Sequence, residues 1–502
     1  MISFSKLGKM GRLGNQMFQI ASVIGIAKSL GDRYEFPEWN YSMFFKKELP
    51  KLPTFVSLTD QIKELSFSFN KIKLPCFGNY DLKGYFQSHK YWDGYELDIR
   101  DQFDFTEELT IKSLENLPHN GKQNIAIHIR RGDYVGNSSH YNLSIRYYLN
   151  ALNCFDWKNY NLLFFSDDIE FAKWHFSCLP DSYFIHNSEI EDLCTMTLCD
   201  HFIIANSSFS WWAAYLCRND GKIVVRPTEH FAGNQLKLDI KDLYPIDWIS
   251  VSDNIKPDLK DTEFIIPVKF DHNDRMANLN LSIQHIQQNF NTNIHVIEQG
   301  GTKFSYVEDF AKYTFVTYQQ FHRTKMINLG VKHSKCDHIV NWDADMILNP
   351  VQLWYSVKLL RAGIDIVYPY DGNFKTVPRK EHINLATNLY HLVGKIYGGP
   401  IESWGGAIFC NRNSFIEAGM ENERFISWGP EDAERFVRFQ KMGLSIERLK
   451  GSIYHLEHYR GADSGRMNRY LAANRKEWHM IRLMTNEDLK KYVKTWAWTS
   501  FT

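Results

Sequence analysis

The sequence has no excess of either charge: Lys plus Arg and Asp plus Glu number 58 each. That balance excludes a chain held to nucleic acid by bulk electrostatics, so an anionic ligand must be held by a few placed cations. Proline is scarce, at 15 residues, and glycine stands at 29, which excludes collagen-like and long low-complexity stretches. The eight cysteines (Cys76, Cys154, Cys178, Cys194, Cys199, Cys217, Cys336, Cys410) form no CxxC pair and read as reduced thiols. No window approaches 18 apolar residues. The one apolar run near the N-terminus, Ile20–Ala27, is preceded by Gln16 and Gln19 and followed by no small-residue cleavage site. Neither a secretory signal nor a transmembrane segment is expected; the chain reads as cytoplasmic, with peripheral membrane contact left open. What is abundant is aromatic, 15% of residues, within a 44% hydrophobic composition that suits a packed core and is compatible with sugar stacking.

At about 150 residues per domain, 502 residues make roughly three compact units. Short β-branched runs at 124–129, 161–166, 201–205 and 222–227 alternate with stretches of helical length, which predicts parallel sheets covered by helices. A polar, mixed-charge segment at 248–262 interrupts this pattern, and strands resume at 294–299, 338–345 and 364–370. The expectation is an α/β chain with one domain over 1–250, a linker at 251–261 and a second domain over 262–502. The halves share no internal repeat.

In the first half, Gly8, Gly11 and Gly14 lie between a strand expected at Ile2–Leu7 and a helix starting near Asn15. Such a turn brings backbone N–H groups to a phosphate or a sugar, although a plain tight turn reads the same way. His128, Arg130, Arg131 and Asp133 sit where the strand IAIHI runs out, and ligand sites in parallel sheets lie beyond carboxyl ends of strands. An arginine there can fork onto a diphosphate; a surface Arg–Asp pair is the plainer reading. Asn206, Ser207, Ser208 and Ser210 open a Trp-Trp helix as a polar pocket wall or as a cap.

Together GRLGNQMFQIA (11–21), HIRRGDY (128–134), FSDD (165–168) and ANSSFSWWAAYL (205–216) closely resemble the α1,2-fucosyltransferase family. The resemblance implies two facing Rossmann-like halves (the GT-B arrangement), GDP-fucose as donor, inversion, and no metal. It implies Arg130 and Arg131 as diphosphate ligands, with Arg131 foremost, supported by His128 and Asp133. It places Asn206, Ser207, Ser208 and Ser210 around the nucleotide or fucose, and Gly11, Gly14, Asn15 and Gln16 over the reaction centre. Asp133 and His128 are the candidates for the base.

In the second half, Asp343 and Asp345 follow an apolar strand. On an extended segment, acids at i and i+2 share a face and can hold a divalent ion, Mn²⁺ or Mg²⁺, against a diphosphate. Exposed loop acids are the plainer reading. Trp428, Glu431 and Asp432 lead into a helix, where an acid is also a cap, and His455 and His458 follow. Without cysteines or a second histidine pair, zinc fits poorly, whereas one histidine completing a carboxylate site fits well.

The blocks IIPVKFDHNDRMANL (265–279), IHVIEQGG (294–301), FHRTKMINLGV (321–331), WDADMI (342–347), WGGAIF (404–409) and WGPEDAERF (428–436) resemble, in order, the β1,4-galactosyltransferase-like group. This resemblance implies a GT-A domain that inverts a UDP-sugar with a metal. It implies Arg275, Phe321 and Arg323 at the uridine diphosphate, Asp345 as principal metal ligand, Asp343 toward ribose and metal, and His455 as a further ligand with His458 the alternative. Asp432 is then the general base, with Trp428 and Glu431 orienting the acceptor. Pro430 departs from the family's second glycine there.

The expectation is a bifunctional glycosyltransferase acting on an oligosaccharide or glycolipid in surface-glycan synthesis, with no nucleic-acid partner. Its alternatives give the second domain UDP-GalNAc, UDP-GlcNAc or UDP-glucose, or make one domain a non-catalytic carbohydrate-binding scaffold.

Overall fold

The computed structural model describes residues 1–58, 60–74, 78–303, 305–382, 389–390, 396–459 and 468–499. Cys76 lies outside them; the other seven cysteines are free thiols. The chain divides into two compact units: Met1–Lys173 with Pro180–Ile255, and Trp174–Leu179 with Lys256–Thr502.

In the first unit, β1 (Ile2–Ser3), β2 (Asp60–Lys63) and β3 (Tyr80–Lys83) pair in parallel in the order β1-β3-β2. The strand expected to reach Leu7 stops at Ser3. The Asp81 carboxylate takes the Ser5 N–H at 2.7 Å, and the chain turns so that Leu7 N–H donates to the Phe4 carbonyl. A larger, wholly parallel sheet follows: β4 (Asn124–Ile129), β5 (Asn161–Ser166), β6 (Ser182–Ile185), β7 (His201–Ile203), β8 (Val224–Pro227) and β9 (Ile249–Val251), ordered β6-β5-β4-β7-β8-β9. β4 and β5 are buried along their whole length, as a sheet covered on both faces requires.

Helix Leu13–Ser29 buries 14 of its 17 residues, which is why its sequence lacks a polar face. Among the described residues, no helix is long and apolar enough to cross a membrane. This helix packs into an aromatic core instead, with Phe18 at 4.5 Å from Trp211 and 5.1 Å from Trp212, centroid to centroid.

The segment expected as a linker over 251–261 is partly strand. β9 ends at Val251, and β10 (Asp258–Val268) begins inside it, anchored by the buried Leu259. β11 (Asn291–Gln299), β12 (Lys312–Val316), β13 (His338–Trp342), β14 (Met346–Ile347), β15 (Ile366–Tyr368), β16 (Phe374–Val377), β17 (Tyr397–Gly398), β18 (Ala407–Asn411), β19 (Ile446–Arg448) and β20 (Ile453–Leu456) complete the second unit's strands among the described residues. The main sheet runs β12-β11-β10-β13-β18-β15-β19, with β18 antiparallel to both neighbours; a smaller sheet runs β14-β20-β16-β17. Both units are therefore α/β, one wholly parallel and one mixed.

Candidate functional site

In the first unit, a cavity of about 880 Å³ opens over the carboxyl ends of the six-stranded sheet. The glycine loop forms one wall for steric reasons. Gly11 has φ +76°, a left-handed conformation that glycine adopts without strain. A Cβ on Gly14 would lie 2.7 Å from the Phe209 nitrogen, so only hydrogen lets helix Leu13–Ser29 meet the start of helix Ser208–Leu216. Trp212 Nε1–H donates to the Gly14 carbonyl at 2.9 Å, and Asn15 Oδ1 accepts from Ser208 Oγ at 2.9 Å. Gln16 Nε2–H closes back onto the Gly11 carbonyl at 2.9 Å. Segments some 190 residues apart in sequence thus form one surface.

Arg130 reaches this cavity, pairing with Asp133 and, at 2.9 Å, with Asp167. Arg131 does not line it. Its side chain is 6% exposed, its Nε–H donates to Asp168 at 3.0 Å, and its guanidinium lies 3.7 Å from the Phe171 ring centre. Ser210 is likewise fully buried and donates to the Ser207 carbonyl, whereas Ser207 and Ser208 face the cavity. Asn206 lines the cavity while donating to the carbonyls of Tyr141 and His230, both at 2.8 Å.

His128 is buried with no hydrogen-bond partner on Nδ1; burial, and then the Arg130 charge, push its pKa down to about 3. Burial tends to raise the Asp133 carboxyl, but Arg130 and Arg12 outweigh it and hold the group below its ordinary value. At neutral pH the imidazole is therefore neutral and the carboxylate charged.

A cavity of about 320 Å³ in the second unit collects Arg275, Phe321, Arg323, Asp343, Asp345, Trp428, Glu431, Asp432, His455 and His458. The two strand-end acids both line this cavity, but not as alternate residues of an extended strand. β13 ends at Trp342, Asp343 N–H bonds to the Gly406 carbonyl, and Met346 N–H to the Asp343 carbonyl, so the chain turns between the acids. Asp343 faces Arg323, whose Nε and Nη2 lie 2.8 and 2.7 Å away. Asp345 faces His458 Nε2 at 2.9 Å and His455 Nε2 at 3.8 Å, with Arg275 Nη1 also at 2.9 Å. Burial raises the Asp345 pKa, but the two histidines and Arg275 more than reverse this, leaving it well below the carboxylate range.

One oxygen of Asp345 and one nitrogen of each histidine lie within 4.8 Å of one another, a spacing and a mixed O/N donor set that fit one divalent ion. Asp343 is not in that group. His455 and His458 both converge on Asp345.

Asp432 opens helix Glu431–Met442, held by Arg435 Nη2 at 2.8 Å and approached by Arg323 Nη1 at 3.8 Å. Glu431 beside it is buried, and its Oε2 has no hydrogen-bond partner. Burial, then the Asp432 charge, raise its pKa to about 8 against the pull of Arg323. Trp428 stands 40% exposed at the rim.

Two sets of functional neighbours were not read from the sequence. Asp167 and Asp168 directly follow β5, which pairs with β4, so the FSDD block was signal enough to name them as the arginines' partners. Glu421, 2.7 Å from Arg435, comes from a segment with no recognisable pattern.

Residues 5–252 match the family model "Glycosyl transferase family 11", and residues 396–460 match one described as "N-terminal domain of galactosyltransferase". The chain is 31% identical over 285 residues to the O-antigen biosynthesis glycosyltransferase WbnK of Escherichia coli, covering 45% of this chain and 94% of that protein. It is 30% identical over 284 residues to an alpha-1,2-colitosyltransferase of E. coli, covering 48% and 96%. Among solved structures, a mutant of Drosophila β1,4-galactosyltransferase 7 in complex with manganese, UDP-Gal and xylobiose aligns at 17% identity over 45% of this chain and 83% of that one, with a TM-score of 0.30.

Proposed function

This chain belongs to glycosyl transferase family 11 through its N-terminal half and is a glycosyltransferase, and on that premise we propose that it is bifunctional. In this reading the second unit transfers a hexose, β-galactose foremost, from a UDP-sugar with inversion. The first unit then transfers fucose from GDP-fucose to the 2-hydroxyl of that galactose. The observation that carries the proposal is that each unit holds its own cavity with its own set of charges for a diphosphate. Tethering two consecutive transferases raises the local concentration of the intermediate glycan. The finer fold assignments, GT-B for the first unit and GT-A for the second, with domain bounds at 1–250 and 262–502, belong to the same proposal, as does a cytoplasmic location.

In the first unit, Arg130 exchanges its carboxylate partners for the GDP diphosphate, while Arg131 braces the strand end behind it. Asp133, ionised and facing the cavity, takes the proton from the acceptor hydroxyl; neutral His128, with its free Nδ1, hydrogen-bonds a hydroxyl nearby. Gly11, Gly14, Asn15 and Gln16 close over the centre, and Asn206, Ser207 and Ser208 supply polar contacts.

In the second unit, Arg275, Phe321 and Arg323 hold the uridine diphosphate, and Asp343 fixes Arg323. Asp345, His455 and His458 would hold Mn²⁺ or Mg²⁺, which supplies positive charge to the departing diphosphate. Asp432 accepts the proton of the acceptor hydroxyl, kept in place by Arg435. Trp428 offers the acceptor sugar a flat face, and Glu431, neutral below its raised pKa, donates a hydrogen bond to it.

Incubation with UDP-galactose, GDP-fucose and a GlcNAc- or GalNAc-terminated acceptor should add a hexose and then a deoxyhexose by mass. Absence of either increment with every donor tried overturns bifunctionality. The 30% identity to an alpha-1,2-colitosyltransferase favours one second reading, in which the first unit's donor is GDP-colitose. Colitose lacks the 3-hydroxyl of fucose, so parallel assays with the two donors separate them. UDP-GalNAc, UDP-GlcNAc and UDP-glucose serve the same purpose for the second unit.

A further inference from the structure

The cavity of the first unit has two chemically different ends. In the sheet order β6-β5-β4-β7-β8-β9, β5 and β6 lie on one side of β4, and β7 and β8 on the other. Beyond β5 and β6 the wall carries Asp167, Glu189 and Asp192. Beyond β8 it carries His230 and Phe231, joined there by Phe67 and by Tyr134 and His140 of the segment after β4. These rings touch in sequence: Phe67 meets Phe231 edge-on at 5.1 Å, Phe231 lies 6.2 Å from His140, and His140 stacks on Tyr134 at 4.4 Å and 6°. All are half-buried, neither core nor free surface. His140 Nδ1 is buried without a hydrogen-bond partner. Arg130 stands between the two ends, its guanidinium 5.4 Å from the Tyr134 ring centre.

We propose that this ring cluster is the subsite for the acceptor galactoside, with Phe67 and Phe231, nearly at right angles to each other, as its floor and side wall and His140 reading a hydroxyl. The inference rests on the assignment of the first unit as a transferase from a GDP-sugar to galactose. Guanine presents N–H donors along one edge, which carboxylates accept, so the acid-lined end suits the base. A galactoside presents an apolar C–H face together with hydroxyls, and flat rings with one free imidazole nitrogen suit that pair of surfaces. With the base at one end and the acceptor at the other, Arg130 and the glycine loop fall at the diphosphate between them.

The test uses the full-length protein with Phe67→Leu, Phe231→Leu and the double variant, which keep apolar bulk and remove the flat face. Thermal melting checks that each remains folded. The galactoside KM in fucosyl or colitosyl transfer should rise about two- to tenfold per ring, with GDP affinity by calorimetry unchanged. Saturation-transfer NMR with methyl β-galactoside should show contacts from one face of the sugar in the wild type and lose them in the double variant. Weakened GDP binding with an unchanged galactoside KM would overturn the proposal and put guanine on the rings. Unchanged galactoside contacts in the double variant overturn it as well. If the wild type transfers neither deoxyhexose, the functional assignment fails, while the NMR comparison still decides whether the rings bind galactoside.

Discussion

The two cavities hold their charge in opposite ways. In the first unit the group in the cavity suited to a diphosphate is cationic, and carboxylates occupy it: Arg130 by Asp133 and Asp167, with Arg131 behind it held in the same way by Asp168. In the second the groups facing the cavity include carboxylates, and nitrogen groups occupy them: Asp343 by the Arg323 guanidinium, Asp345 by the Arg275 guanidinium and two imidazoles. Each site keeps its buried charges paired, as burial requires. Ligand binding in either one is then an exchange of partners, and the identity of the group exchanged should decide how each unit responds to metal, mutation and pH.

The largest expected difference is in metal dependence. EDTA should reduce UDP-sugar transfer to background, with recovery on adding Mn²⁺, while GDP-sugar transfer continues. A charge-stabilising cation contributes several kcal/mol, or about 10³-fold in rate. Equal inhibition of both activities would erase the contrast. Next, Asp432→Asn should lower UDP-sugar transfer by about 10²–10⁴-fold and leave GDP-sugar transfer at the wild-type rate. Full UDP-sugar activity in that variant means another group is the base.

A smaller effect separates the two arginines. Arg130→Ala should weaken GDP binding by about 10- to 100-fold, the worth of a charge-assisted hydrogen bond, at nearly unchanged melting temperature. Arg131→Ala should lower the melting temperature as well, because it removes a buried guanidinium from Phe171 and Asp168. Identical behaviour of the two would refute the division between ligand and brace.

The smallest effect concerns pH. The raised pKa of Glu431 means that the folded state holds this proton more tightly than the unfolded one. The stability it contributes is complete below the ordinary carboxylate pKa and is lost as pH rises to about 8. The slope is at most about 1.4 kcal/mol per pH unit. Glu431→Gln should flatten the melting temperature of the second unit across that window. An unchanged profile would place the Glu431 pKa near its ordinary value.

How far the molecule was legible depended on whether neighbours in space were neighbours in sequence. β4 and β5 were readable to the residue, because strands covered on both faces must be apolar throughout. The polar blocks after β4, β5 and β7 were readable as strand-end clusters. Direction within a cluster was not. Arg130 and Arg131 look equivalent in sequence, yet one lines the cavity and the other lies over Phe171, a residue after the next strand. Asp343 and Asp345 read as alternate residues of a strand, but a turn closed by Met346 N–H on the Asp343 carbonyl lies between them and gives them different partners. The ring cluster was least visible of all, since Phe67, Tyr134, His140 and Phe231 share no spacing and meet only once the sheet is assembled.

The contact at Gly14 has an electrostatic consequence. It presses the amino ends of two helices, Leu13–Ser29 and Ser208–Leu216, against each other, and neither carries an acidic residue in its first turn. Each such end bears the positive pole of a helix dipole, equivalent to roughly half an elementary charge. Two like poles held this close repel, and nothing within either first turn cancels them. The backbone alone therefore adds a fixed positive contribution at this wall of the cavity, which no titration of a side chain can switch off.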